Sequence, residues 1–335
     1  MSHALGYALH EDGRYLSCHA NLRADMAPHP NFDSIKEYGV TCESCHGPSS
    51  EWEDPHKTLA WRGKRPQEKE ALGMVDVRDP VRRAQQCFSC HIGNEPQGKL
   101  ITHEMYAVGH PLLPPIELVS FTERMPPHWR NLREKGDFLL RKEFLAANYP
   151  AWDASEALRD IPRSRRVVLG SIMTLRETIN LMSEVAASDE YNWPELGVFD
   201  CGACHHDLRT VSHRQDRGYR GFAPGRIPLP AWPQPLVKVA IGQGAVSRDK
   251  LAIEQLQQKF QQRLDGLNQV LAESPLGQRD RVAETGQELV RLLDGVARVV
   301  AGRPFNRAAA ETMLIELGKF QRAAYLDFPS ARQLV

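Results

Sequence analysis

The chain has no excess of charge of either sign: 42 Lys+Arg stand against 42 Asp+Glu in 335 residues. A nucleic-acid binder usually carries a basic surplus, so that class is set aside. No apolar run approaches the roughly 18 residues of a membrane span, and no crossing of a bilayer is expected. The opening Met1-Ser2-His3-Ala4-Leu5-Gly6 lacks the basic start and apolar stretch of an export signal. No sustained alternation of apolar and polar residues marks a strand. The hydrophobic share, 41%, is slightly low for a globular chain and too high for disorder. Something besides side chains is therefore expected to fill part of the core.

Cysteine and histidine are missing from 214–335: all 7 Cys and all 13 His lie at or before His213. Chance would produce that split roughly once in ten thousand, so it is read as a boundary. The expected organisation is a Cys/His-bearing domain over 1–222, a Pro-rich connector over 223–235 and a helical region over 236–335. Pro224, Pro228, Pro230, Pro233 and Pro235 crowd the connector, which argues for extended chain rather than helix. Beyond it, Leu251, Leu256, Phe260, Leu264, Leu267 and Leu271 recur at helical spacing. So do Val282, Leu289, Leu293, Val296 and Val300, and then Met313, Leu314, Leu317 and Phe320. Breaks at Ser274–Gly277 and Gly302–Pro304 divide this region into three helices. An earlier helix over about 165–187 carries Val168, Ile172, Leu175, Ile179 and Met182 on one face. The first 110 residues show no sustained period, which predicts loops and short helices.

One short pattern recurs. Cys42-Glu43-Ser44-Cys45-His46, Cys87-Phe88-Ser89-Cys90-His91 and Cys201-Gly202-Ala203-Cys204-His205 are three copies of C-x-x-C-H, the attachment pattern of c-type haem. Two thiols form thioethers to the two vinyl groups of one porphyrin, and the adjacent His ligates the iron. A bare C-x-x-C also serves as half a zinc site or a redox dithiol. The His after every copy favours haem. A fourth segment, Tyr15-Leu16-Ser17-Cys18-His19, has Tyr in place of the first Cys. It is expected to hold a fourth haem through Cys18 alone, with His19 on the iron; a chance Cys-His pair is the plain alternative.

Each iron needs a second axial ligand or stays open. His3, His10, His29, His56, His103, His110, His128, His206 and His213 remain after the four that follow a cysteine. Bis-His ligation is the economical expectation, with low potentials, since a Met ligand would raise them. His206 cannot share an iron face with His205 beside it, so it is expected to reach a neighbouring haem. His10 and His29 are read as ordinary surface residues, and His128 is left open.

Four blocks together resemble the family of multihaem cytochromes c with a cytochrome c-554-like domain. They are Tyr38–Pro48 with His56 after it, Ala107-Val108-Gly109-His110-Pro111, Met125-Pro126-Pro127-His128-Trp129, and Phe199–Leu208. The resemblance covers about residues 2–235. It implies a periplasmic bacterial electron-transfer protein with closely stacked haems and mostly bis-His irons. It also implies His56, His103, His110 and His206 as distal ligands. Such chains usually begin with a signal peptide and an earlier C-x-x-C-H, followed by a segment like Ser2-His3-Ala4. The expectation is therefore that Met1 is a misplaced or artificial start, with the export signal upstream and His3 a distal ligand inherited from that part.

The expected fold is mainly α with extensive irregular loops, a haem-filled core and a C-terminal helical bundle or hairpin packed against it. The expected function is electron relay through three or four haem c groups to redox partner proteins, other cytochromes or a membrane quinol-linked complex. Two propionates per haem would make the folded protein more acidic than its formal charge, which suits a partner with a basic patch. The rival expectation is a redox enzyme with one open iron, most readily at His19, converting a small nitrogen or sulfur compound.

Overall fold

A single long helix, Pro162–Ala187, organises the protein. Its first residue is a proline, which costs nothing there because the first-turn N–H groups have no partner within a helix. Val168, Leu169, Ile172, Met173, Leu175, Ile179, Met182 and Ala186 are all buried. Each fully buried Leu, Ile or Met contributes about 1.5–3 kcal/mol relative to exposure. The computed structural model describes residues 12–20, 32–129, 138–148, 160–206, 209, 227, 229–242, 249–273, 276–302 and 305–320. Among them the architecture is helical, and the only β pairing is an isolated bridge between Asn94 and Lys99.

The C-terminal helices are Pro233–Gly242, Lys250–Ala272, Arg279–Ala301 and Arg307–Gly318. The last three fall where the apolar periodicity places them. The first begins inside the stretch expected to be extended. Pro233 and Pro235 lie in its first turn, where a missing N–H removes no helical bond, so the proline argument fails there.

Arg279–Ala301 packs along the long helix, crossing it closely at Gly286. A Cβ at Gly286 would stand 2.0 Å from Ser183 Oγ, so a larger residue there would force that hydroxyl to move. Helices Pro80–His91, Leu118–Glu123 and Pro233–Gly242 complete the walls. The resulting core joins Phe88, Leu118, Ile172, Met182, Ile241, Phe260, Leu267 and Leu289 in one cluster. Side chains fill this cluster. Of the C-terminal helices, Pro233–Gly242 and Arg279–Ala301 pack on the long helix, Lys250–Ala272 packs on those two, and Arg307–Gly318 packs on Pro233–Gly242.

Polar ties fix the junction. Asp160 and Arg165, both nearly buried, form an ion pair at 3.2 Å. Asp160 Oδ1 accepts from the Phe305 N–H at 2.6 Å, and Arg165 Nη1 donates to Ala301 O at 3.2 Å. Trp193 Nε1 donates to Gly277 O at 2.8 Å. The described residues before 130 are short helices and turns, closed by side-chain caps such as Thr58, Asp79, Asn94 and Thr102. No helix among the described residues is long and apolar enough to cross a membrane.

Candidate functional site

All four Cys-His segments end on helical turns. Gly13–His19 starts at Asp12, whose carboxylate accepts from Arg14 N–H. Cys42–His46 starts at Thr41, whose N–H donates to Ser44 Oγ at 3.0 Å. Pro80–His91 starts at Asp79, which accepts from the N–H groups of Val81 and Arg82. Cys201–Ala203 is a 3₁₀ turn capped by Asp200, and His205 N–H closes it on Cys201 O at 2.7 Å. On a helical turn residues i, i+3 and i+4 share one face. That geometry gathers both thiols and the imidazole of each complete motif.

Three motif histidines face a second histidine from elsewhere in the chain. His19 and His110 have ring centres 6.4 Å apart, with planes at 74°. His46 and His128 stand 6.0 Å apart at 80°. His103 and His205 stand 6.3 Å apart at 28°. A metal–imidazole bond of about 2 Å plus about 1.1 Å from nitrogen to ring centre, counted twice, gives about 6.2 Å for two imidazoles flanking one metal. Among the described residues no three His, Cys, Asp or Glu side chains converge on one metal position.

Each pairing has a local cause. His103 opens the helix His103–Ala107, and its N–H donates to Glu195 Oε1 at 2.7 Å. The same oxygen accepts from Gly197 N–H at 2.8 Å. A Cβ on Gly197 would lie 2.5 Å from Ile101 O and 2.9 Å from His103 N, so glycine is what lets the segment before Cys201 close on His103. A ring nitrogen of His110 lies 2.7 Å from Pro111 O. Ser17 Oγ donates to Gly98 O at 3.1 Å, docking the Cys18 helix on the turn after the Cys90 motif. His128 stacks edge-on to Trp129 at 5.0 Å, and the Arg83 guanidinium lies over that indole at 5.9 Å.

The remaining expected ligands fall differently. His56 packs on Trp52 at 5.7 Å and turns a ring nitrogen to Glu53 O. Trp52 in turn sits 6.3 Å from His46, so the ring across from His46 is His128 rather than His56. His206 continues the turn, donating its N–H to Cys204 O at 3.1 Å, and the ring facing His205 is His103. The sequence favoured His19 as the position with nothing opposite, yet His110 faces it. His91 instead meets Phe121, edge-on at 5.4 Å. His3 and His213 lie outside the described residues, as do His10 and His29.

The thiols of different segments also meet. The thiols of Cys18 and Cys90 are electrostatic neighbours. That proximity and burial push the Cys18 thiol up, whereas the same proximity, with help from Lys99, pulls Cys90 down. Burial raises Cys45 and Cys201 and pushes Cys87 up to about 11. Gln86 Nε2 donates to Ser44 O at 2.5 Å, joining the Cys87 helix to the Cys42 helix. Burial holds His19, His46 and His91 below the usual histidine range. His110 adds to the effect at His19, and His128 and Arg83 add to it at His46. The neutral imidazole is the form that binds metal.

These residues fit haem c. Paired thiols and histidines are the donor set that would hold it, and a ring nitrogen of His46, Nδ1, is buried with no hydrogen-bond partner. No family model, no curated protein and no solved structure matches the chain.

Proposed function

We propose that the chain is a multihaem c-type cytochrome, of the cytochrome c-554-like kind that its motif blocks resemble, acting as a periplasmic electron relay. The observation that carries this reading is the pairing of His19, His46 and His205 with His110, His128 and His103 at 6.0–6.4 Å. Cys42 with Cys45, Cys87 with Cys90, and Cys201 with Cys204 would each hold one haem, and Cys18 would hold a fourth by one bond. Bound there, haem supplies a one-electron couple.

The sites adjoin in a definite order. Tyr106 lies beside Cys201 and packs on His110 at 5.8 Å, linking the His205 site to the His19 site. Cys18 meets Cys90, linking the His19 site to the His91 site. Gln86 and Ser44 link the His91 site to the His46 site. A row of adjoining sites, with mostly paired histidines, favours relay between redox proteins over a single reaction centre.

The second reading, a redox enzyme with one open iron, is favoured by one observation. The ring against His91 is Phe121, which cannot ligate a metal. The test is spectroscopic. Purely low-spin ferric spectra support the relay. A high-spin component that binds hydroxylamine or nitrite, and is abolished with the His91 site, supports the enzyme. A matured chain without covalent haem overturns both.

A further inference from the structure

We propose that Tyr15 is a positioning residue for the His19 site, doing by ring stacking what the missing first cysteine would do by a second thioether. The inference rests on the haem reading above. In a complete motif the first Cys and the His stand at i and i+4, on one face of a helical turn. Tyr15 holds that first position on the helix Gly13–His19. Its ring lies flat on the His19 imidazole, with centres 4.0 Å apart and planes 8° from parallel. The contact uses the imidazole face and leaves the nitrogens at the ring edge free for a metal. Tyr15 is itself held, half-buried, against Leu16 and Ala20.

One covalent bond leaves a porphyrin and its axial imidazole more rotational freedom than two. A flat stack removes that freedom from the imidazole. The ring opposite is fixed as well: Tyr106 meets His110 edge-on at 78°, and Pro111 O holds a nitrogen of that ring. The outcome is a crossed pair, with planes at 74°, whereas the His103 and His205 planes lie 28° apart. Crossed axial rings leave two iron d orbitals nearly equal in energy and give a highly anisotropic low-spin signal. Near-parallel rings split those orbitals and give a rhombic signal. Tyr15 therefore sets an electronic property of one iron through His19.

The experiment uses the full matured chain and its Tyr15→Phe, Tyr15→Ala and Tyr15→Cys variants. Intact mass gives the haem count, low-temperature paramagnetic resonance gives the signals of the oxidised irons, and a redox titration gives the potentials. Tyr15→Phe keeps the stack and is expected to match the wild type. Tyr15→Ala is expected to change one anisotropic signal and one potential while the other signals stay fixed. Loss of the Cys18 haem in Tyr15→Ala, with its retention in Tyr15→Phe, supports the same role. Tyr15→Cys is expected to complete the motif and shift one haem's pyridine-complex absorption to shorter wavelength. An unchanged Tyr15→Ala spectrum on a chain that carries the Cys18 haem overturns the proposal alone. A wild-type chain without haem on Cys18 overturns the underlying reading and the proposal with it.

Discussion

The thiol of Cys18 neighbours the thiol of Cys90, so the lone cysteine of an incomplete motif sits beside the second cysteine of a complete one. Ser17 and Gly98 fasten the two segments beside it. Cys18 thus stands beside a cysteine of a complete motif, where a free thiol next to a reactive neighbour would be a liability.

The first prediction follows from that position. The matured chain carries four covalent haems, and Cys18→Ala releases one. Mass spectrometry of the denatured protein reads the count directly. Three haems with a free thiol at Cys18 would contradict it.

Axial partners give a second test. His110→Ala, His128→Ala and His103→Ala should each leave the haem count unchanged, because the thioethers remain, and turn one haem high-spin. His56→Ala should leave the spectrum as in the wild type, since that ring points to Trp52 and Glu53. The reverse result for His56 and His128 would reassign the partner of His46.

Gly197→Ala tests how His103 is brought to His205. The added Cβ would lie 2.5 Å from Ile101 O, and such crowding typically costs about 1–3 kcal/mol. The expected result is a partly high-spin His205 haem with a modest loss of stability in urea. Gly63→Ala, where a Cβ meets nothing within 4 Å, is the control expected to behave as wild type.

The buried pair Asp160–Arg165 gives the fourth. Asp160→Ala removes the carboxylate that pairs with a buried guanidinium and accepts from the Phe305 N–H. Losing one partner of such a pair costs about 3–5 kcal/mol. The midpoint of urea unfolding should fall accordingly. A midpoint within error of wild type would show that the pair contributes little.

Helix periodicity was legible where the apolar residues form a continuous stripe, as from Val168 to Met182 and from Leu251 to Leu271. The helix at Pro233 was hidden because a proline count ignores position, and first-turn prolines are harmless. Motif spacing is enough to single out the proposed attachment residues, because that chemistry is local. The partners of His19, His46 and His205 were not legible, because tertiary packing chooses them. His56 is the nearer choice in sequence, yet the turn around Asp54 and Pro55 aims it at Trp52, and His128 arrives from a distant loop. The Tyr15–His19 stack was readable from its i, i+4 spacing, but a search for cysteines passes over a tyrosine.

Phe88 stands between the two cysteines of its motif and is fully buried in the side-chain core. The Cys87–His91 segment therefore cannot slip or unwind without pulling that ring out of the protein's best-packed region. The Cys201 motif has only Ala203 buried, on a single 3₁₀ turn. Heat damage should then be ordered: the His205 end loosens first and alone, whereas the His91 position fails only when the whole scaffold melts.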